Sequence, residues 1–370
     1  MGSMIMPDFF EYRGLDADLR ACLDAVAGFA DVEISRRWRS PDCPLTPTDF
    51  SLITAAATQC GLLDVSADGA GLWHEVLRVS GHTFSNHAFS DHTFSVQALR
   101  CLARHHTAVA FHLHCRALAR VAGALAGVAD AGLFDAGLPA ADGSNVNCSG
   151  VDRSGKNFPD ASDAVFLFAG SYGLGRSALI RELGATALSA DDQALLEDSY
   201  GQRTRILPLA DVAAPVLVPM YAQGEMQLAF FPAQHALRES DAQPHGLDGL
   251  QLVSWRPCRA PLWSAPLTAL QVTNLLSAFL LGLVAIALGA SERAAQRATD
   301  YVTVRVQGGR RIIQHDAVAL LMMEQEVALQ ATASRLADVA RSSGAENPAG
   351  LEHLAAVLGL KLEALPLLCK

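Results

Sequence analysis

The chain has 370 residues, 51% hydrophobic and only 18% charged, with a formal net charge of −10. That length exceeds one simple core, so two or three packed layers are expected. The acidic balance leaves no electrostatic footprint for nucleic acid. Lys156, Lys361 and Lys370 are the only lysines, and the eight cysteines form no Cys-x-x-Cys pair. Reduced thiols in a cytoplasmic protein are therefore expected. No basic segment leads into an apolar core near the N-terminus, so no secretory signal is expected.

Residues 5–140 read as an N-terminal helical domain. Apolar residues recur at helical spacing in Leu19, Cys22, Leu23 and Val26, and again from Leu99 through Val109 and Leu113 to Val121. Pro41, Pro44 and Pro47 interrupt the pattern, and Thr46 and Thr48 offer helix caps. Residues 141–203 read as a polar linker followed by a helix from Arg176 to about Leu196. Residues 204–262 carry strand signals. Val216–Tyr221 and Met226–Phe231 predict a hairpin, Leu250–Trp255 continues as strand, and Pro257 and Pro261 end the region. Residues 266–370 are helical again.

Within that last region Leu275–Ala290 is apolar on all sides. Its roughly 16 residues fall short of the roughly 20 needed to span a bilayer, so no membrane span is expected. Burial in a bundle or between subunits is the expectation instead.

Several constellations invite a chemical reading. Gly170–Ser177 nearly spells a phosphate-binding loop, but Arg176 stands where the lysine should be, and no alternating strand–helix series surrounds it. His82, His87 and His92 are spaced by five and do not share a helix face. No carboxylate-rich or cysteine-rich partner accompanies them, so no metal site is assigned. No Gly-x-Ser-x-Gly elbow is present.

The most informative stretch is residues 301–318. Two helical patterns flank a break at Gly308-Gly309, beside Arg305, Gln307, Arg310 and Arg311. Adjacent glycines permit a sharp turn, and an arginine fork with a glutamine amide can hold a diphosphate. Arg305-x-Gln307-Gly308-Gly309-x-x-Ile312 resembles the Arg-x-Gln-(Phe or Gly)-Gly-x-x-Ile signature of the acyl-CoA dehydrogenase family. Gly61-Leu62-Leu63 resembles that family's Gly-Leu-Leu turn, and the order of helices, β-domain and helices is also the family's own. The resemblance implies a mainly α fold with a shortened middle β-domain and a C-terminal helical bundle. It implies FAD as cofactor and an acyl-CoA thioester as substrate. Arg305, Gln307, Gly308 and Gly309 are then the cofactor-binding residues, reaching the FAD of a neighbouring subunit, and His315 lies just behind them.

The sequence also departs from the family. The Thr-Glu-Pro-x-x-Gly-Ser-Asp stretch that meets the flavin has no counterpart between Gly150 and Pro208. The family's catalytic glutamate on the long apolar helix aligns with Phe279, next to Leu280, and Lys370 falls about where the segment carrying the alternative base would begin. No catalytic residue can be named; Glu324 and Glu326 are the remaining carboxylates of note. The expectation is an oligomeric flavoprotein that desaturates an acyl-CoA at the α,β position. The alternative is a non-catalytic partner subunit that completes the FAD site of a heteromeric acyl-CoA dehydrogenase.

Overall fold

The computed structural model describes residues 16–38, 44–66, 71–79, 91–127, 164–166, 205–211, 213–222, 225–240, 249–343 and 351–368. The Gly170–Ser177 loop, the expected Arg176–Leu196 helix, and His82 and His87 lie outside them.

The N-terminal region is helical. Helix α1 (Ala17–Phe29) starts where Asp16 accepts a hydrogen bond from the Asp18 N–H, and runs into a wider π turn at Ala30–Ile34. Helix α2 (Pro47–Gln59) opens with the Thr46–Asp49 capping box and Pro47 in the first turn, as Thr46 predicts. Gly61 then turns the chain with φ 82°. Helix α3 (His74–Val79) is short. The single helical pattern expected from Leu99 to Val121 is broken at His106, giving α4 (Thr93–His105) and α5 (Thr107–Leu125). His106 is extended (φ −157°, ψ 111°), and its ring nitrogen accepts from the Val109 N–H, so a histidine supplies the cap usually left to Ser or Asp.

The middle region forms two sheets. Strands β1 (Val165–Phe166), β3 (Val216–Ala222), β4 (Glu225–Phe231) and β7 (Trp263–Pro266) make one, in the order β1-β3-β4-β7. Strands β2 (Arg205–Leu209), β6 (Gln251–Pro257) and β5 (Ala236–Ser240) make the other, in the order β2-β6-β5. The predicted hairpin is present, with Val216 opposite Phe231 and Tyr221 opposite Met226. Pro257 and Pro261 do not end the region. β7 follows them and pairs with β4 on the sheet edge, where Pro266 removes no central ladder bond. Phe231 of one sheet meets Trp255 of the other edge-to-face at 5.3 Å.

The C-terminal region is built on α6 (Ala269–Val304), 36 residues started by a Thr268–Gln271 capping box. It is long and apolar enough to cross a membrane, yet 89% of its most apolar window is buried inside this chain. Helices α4, α5, α7 (Asp316–Arg341) and α8 (Leu351–Leu368) pack around it. The helix that carries the apolar run extends well beyond it at both ends, and the run is buried in a bundle of helices of the same chain. Close packing depends on missing side chains. A Cβ at Gly289 would lie 2.3 Å from the Arg100 carbonyl, and one at Gly282 would lie 2.2 Å from the His114 ring.

One charge is carried into this core. Glu292 on α6 is 1% exposed, and Arg100 on α4 donates to both its carboxylate oxygens through Nε at 3.0 Å and to one of them through Nη2. Removing one member leaves the other buried without its counter-charge, which typically costs about 3–5 kcal/mol. Glu292→Ala should lower unfolding stability by that order in urea denaturation. A loss below about 1 kcal/mol, the value of a surface pair, would contradict this role.

Candidate functional site

The sequence motif folds as a small hairpin. β8 (Val306–Gln307) and β9 (Arg310–Arg311) pair antiparallel across Gly308 and Gly309, whose φ values are 61° and 77°. Two consecutive positive φ values are what a type I′ turn demands, and only glycine adopts them at no steric cost. The Ile312 N–H closes the base on the Arg305 carbonyl at 2.9 Å. His315 braces the turn from behind. Its Nε2 donates to the Gln307 carbonyl at 3.3 Å, which leaves Nδ1 to accept from Arg310 at 3.1 Å.

Every residue from Arg305 to Arg311 is exposed. The side chains of Arg305 and Gln307 make no hydrogen bond or ion pair among the described residues. The structure thus brings the four predicted residues onto one turn, and gives them nothing within the described chain to hold. A guanidinium, an amide and a glycine backbone open to close approach form a donor set that fits a diphosphate. Apolar side chains are exposed beside it: Tyr301 and Val304 on α6, and Leu320, Leu321, Met323 and Val327 on α7. Leu320, Met323 and Val327 fall on one helical stripe.

A second assembly is buried. Trp73 is fully enclosed with φ 64°, a conformation that costs a bulky residue about 1–3 kcal/mol and persists only where its surroundings fix it. Its backbone N–H donates to Ser95 Oγ at 2.7 Å, and its indole Nε1 donates to His114 Nδ1 at 2.9 Å. Indole nitrogen only donates, so the His114 proton resides on Nε2, which reaches the Phe279 carbonyl at 3.2 Å. The His114 ring also stacks on Phe279, with centroids 5.6 Å apart and an interplanar angle of 22°. Burial holds His114 down to a pKa of about 3, partly offset by the bond to that carbonyl. Phe279, where the sequence comparison expected a base, is therefore a buried ring locked against a neutral histidine.

The other histidines are also structural partners. His112, held well below its ordinary pKa by burial, meets Thr54 Oγ1 at 3.0 Å. His92 Nδ1 contacts Glu75 Oε1 at 3.1 Å, both side chains buried, and His353 lies 5.8 Å from His92 between ring centroids. Burial, then the neighbouring His92, push His353 down to about 4. Among the described residues no three His, Cys, Asp or Glu side chains converge as a metal site. Glu324 is exposed on α7, and Glu326 accepts from Gln330; neither joins the buried assembly. Sequence reasoning missed Trp73, and the one signal near it was Gly282 inside an apolar helix, whose missing side chain leaves room for the His114 ring that Trp73 bonds.

Residues 271–365 match the family described as acyl-CoA dehydrogenase, C-terminal domain. A chain from the structure of the electron transferring flavoprotein of Acidaminococcus fermentans is similar with a TM-score of 0.60 at 15% identity, over 96% of this chain and 85% of that one. Butyryl-CoA dehydrogenase from Megasphaera elsdenii gives 0.57 at 13% identity, over 95% and 85%. The ChsE4-ChsE5 complex from Mycobacterium tuberculosis gives 0.53 at 17% identity, over 94% and 84%. No curated protein sequence matches significantly. At these identities the structural likeness is one of fold.

The buried histidines set a pH dependence. A histidine whose pKa is depressed on folding binds its proton more readily in the unfolded chain. Stability is therefore full above the ordinary value of 6.5 and falls as pH drops toward the folded value, about 4 for His353 and about 3 for His114. Each such group contributes a slope of roughly 1.4 kcal/mol per pH unit within its window. Denaturation midpoints should decline steadily from pH 6.5 to pH 4. His114→Gln, which keeps an acceptor for Trp73 and a donor for Phe279, should flatten the curve; an unchanged slope would contradict the assignment.

Proposed function

From a chain with the acyl-CoA dehydrogenase fold, carrying that family's C-terminal domain at residues 271–365, we propose a subunit of an oligomeric acyl-CoA dehydrogenase-like flavoprotein. Its reaction is α,β-desaturation of an acyl-CoA thioester in the cytoplasm. The observation that carries this reading is the exposed hairpin at Arg305–Arg311, with guanidinium and amide donors, followed by a helix with exposed apolar side chains. Arg305 and Gln307 hold the diphosphate of a neighbouring subunit's FAD, while Gly308 and Gly309 let the backbone come close. Bound FAD supplies the hydride acceptor. The chain's own residues bind and orient it: Arg310 and His315 brace the turn, and the α7 face seats the partner.

A second reading is favoured by Phe279. The position at which the family resemblance calls for a carboxylate holds a phenyl ring stacked on His114. No group there can take the α-proton, a step to which a positioned base typically contributes about 10²- to 10⁴-fold. In this reading the chain is the non-catalytic member of a heteromeric pair. It lends its hairpin to a catalytic relative that brings the base and most of the flavin seat.

One preparation tests both. Arg305→Ala should lower FAD affinity of the assembled oligomer by about 10- to 100-fold, since a hydrogen bond to a charged group contributes about 1.5–3 kcal/mol. Arg305→Lys should restore it only in part, because the planar fork is lost. Unchanged occupancy in both variants would overturn the hairpin assignment. The chain alone, supplied with FAD and an artificial acceptor, should turn over straight-chain acyl-CoAs poorly, with activity emerging on addition of a catalytic relative. Robust turnover alone would remove the second reading and retain the first.

A further inference from the structure

Two buried imidazoles meet where α3, α4, α7 and α8 come together. His92, the residue before α4, turns Nδ1 toward Glu75 of α3 at 3.1 Å, with both side chains buried. A carboxylate only accepts, so that nitrogen donates. The His92 backbone N–H is held by the Ala340 carbonyl of α7 and by Ser343 Oγ just beyond it. His353, in the first turn of α8, places its ring 5.8 Å from that of His92 between centroids. Its Nδ1 is 3.4 Å from Ser342 Oγ. That hydroxyl donates its own proton to the Val339 carbonyl at 2.8 Å, so it accepts from His353, whose proton resides on Nδ1. Nε2 of His353 is left as a bare lone pair. Like Nε2 of His92, it is buried and has no hydrogen-bond partner among the described residues.

The next proton on His353 must enter at Nε2. It would bury a cationic N–H without an acceptor, beside a second imidazole, and a packed interior opposes that strongly. The surrounding elements offer little compensation. Glu75 is engaged by His92. Helix α6 has no acidic, basic, histidine or cysteine residue from Ala269 to Ser291. On α7, Asp338 is paired with Arg341 at 2.6 Å, and on α8 Glu352 is exposed. His114 of α5 connects to the cluster through Trp73, whose ring lies 5.5 Å from those of both His92 and His114. Burial, then the charge of His92, hold His353 down to a pKa of about 4.

Helix α8 is the element that can yield. His92 is fixed by its backbone bonds and by Glu75, whereas α8 packs on α6 and α7 with Leu354, Val357, Leu360 and Ala364 buried. Its Glu363 reaches Arg335 of α7 at 3.9 Å, but both are exposed, and such a pair contributes little. We propose that His92 and His353 form an acid-sensitive latch on α8: docking requires Nε2 of His353 to be unprotonated, and its protonation releases α8 while the α4, α5 and α6 core stays folded. The released helix takes up this proton near the ordinary value of 6.5 and the docked one near 4. The latch is therefore at full strength above 6.5 and weakens as pH falls, the released fraction rising roughly 10-fold per pH unit. It does not depend on the flavoprotein reading.

Backbone hydrogen exchange followed by mass spectrometry at about pH 7.5 and about pH 5, scaled by the intrinsic exchange rate at each pH, tests the latch. Peptides from residues 351–368 should lose protection roughly 30-fold at the lower pH, through openings that leave residues 269–291 far better protected. His353→Gln and His353→Leu, which take up no proton there, should hold α8 protection constant within about 3-fold; circular dichroism at the higher pH identifies which of them folds. His114→Gln should leave the wild-type loss in place. Exchange of α8 and α6 together, no loss in α8 at the lower pH, or a loss that persists in a folded His353 variant would overturn the proposal.

Discussion

The structure depends on sinking a 36-residue helix into the chain that carries it. An apolar stretch such as Leu275–Ala290 is stable in water only when covered nearly all round, and here α4, α5, α7 and α8 provide the cover. Two missing side chains set how closely they approach. At Gly282 the His114 ring occupies the space of a Cβ, and at Gly289 the α4 backbone does the same. Two of the polar groups drawn in with the helix are paired in place: Thr273 with the Ala269 carbonyl one turn back, Glu292 with Arg100.

That burial divides α6 into two working ends. Near its start the helix is held by neutral, directional bonds: Trp73 donates to His114, which in turn meets the carbonyl of Phe279. His114 is neutral there at neutral pH, because burial holds its pKa down to about 3. At its far end the helix emerges from the core. Arg293 and Arg297 are exposed there, and eleven residues after Arg297 the chain turns at Gly308–Gly309 with its donors exposed. The buried half fixes the position of the exposed hairpin, which on the proposed function completes a site that lies mostly on another subunit.

The elements with strong local signals were legible in the sequence. Thr46–Pro47 announced α2, the alternation of Val216–Phe231 announced its hairpin, and Gly308-Gly309 announced the turn. The β7 strand was missed because proline was read as a terminator, although an edge strand tolerates it. The α4–α5 break was missed because apolar periodicity continues through His106, and a histidine cap has no strong signature. The Trp73–His114–Phe279 chain joins residues far apart in sequence. Only Gly282 marked it, and a glycine in an apolar helix does not reveal which side chain fills the gap.

The central claim is that the flavin site is completed across an interface seated on the α7 face. Leu320→Glu combined with Val327→Glu places charge on that exposed stripe without touching the buried core or the hairpin. Light scattering and flavin absorbance should be measured on the same purified sample. The account predicts that the wild type is oligomeric, and that the variant becomes monomeric and loses bound flavin together with its partner. A folded monomer that retains flavin at wild-type occupancy would contradict it.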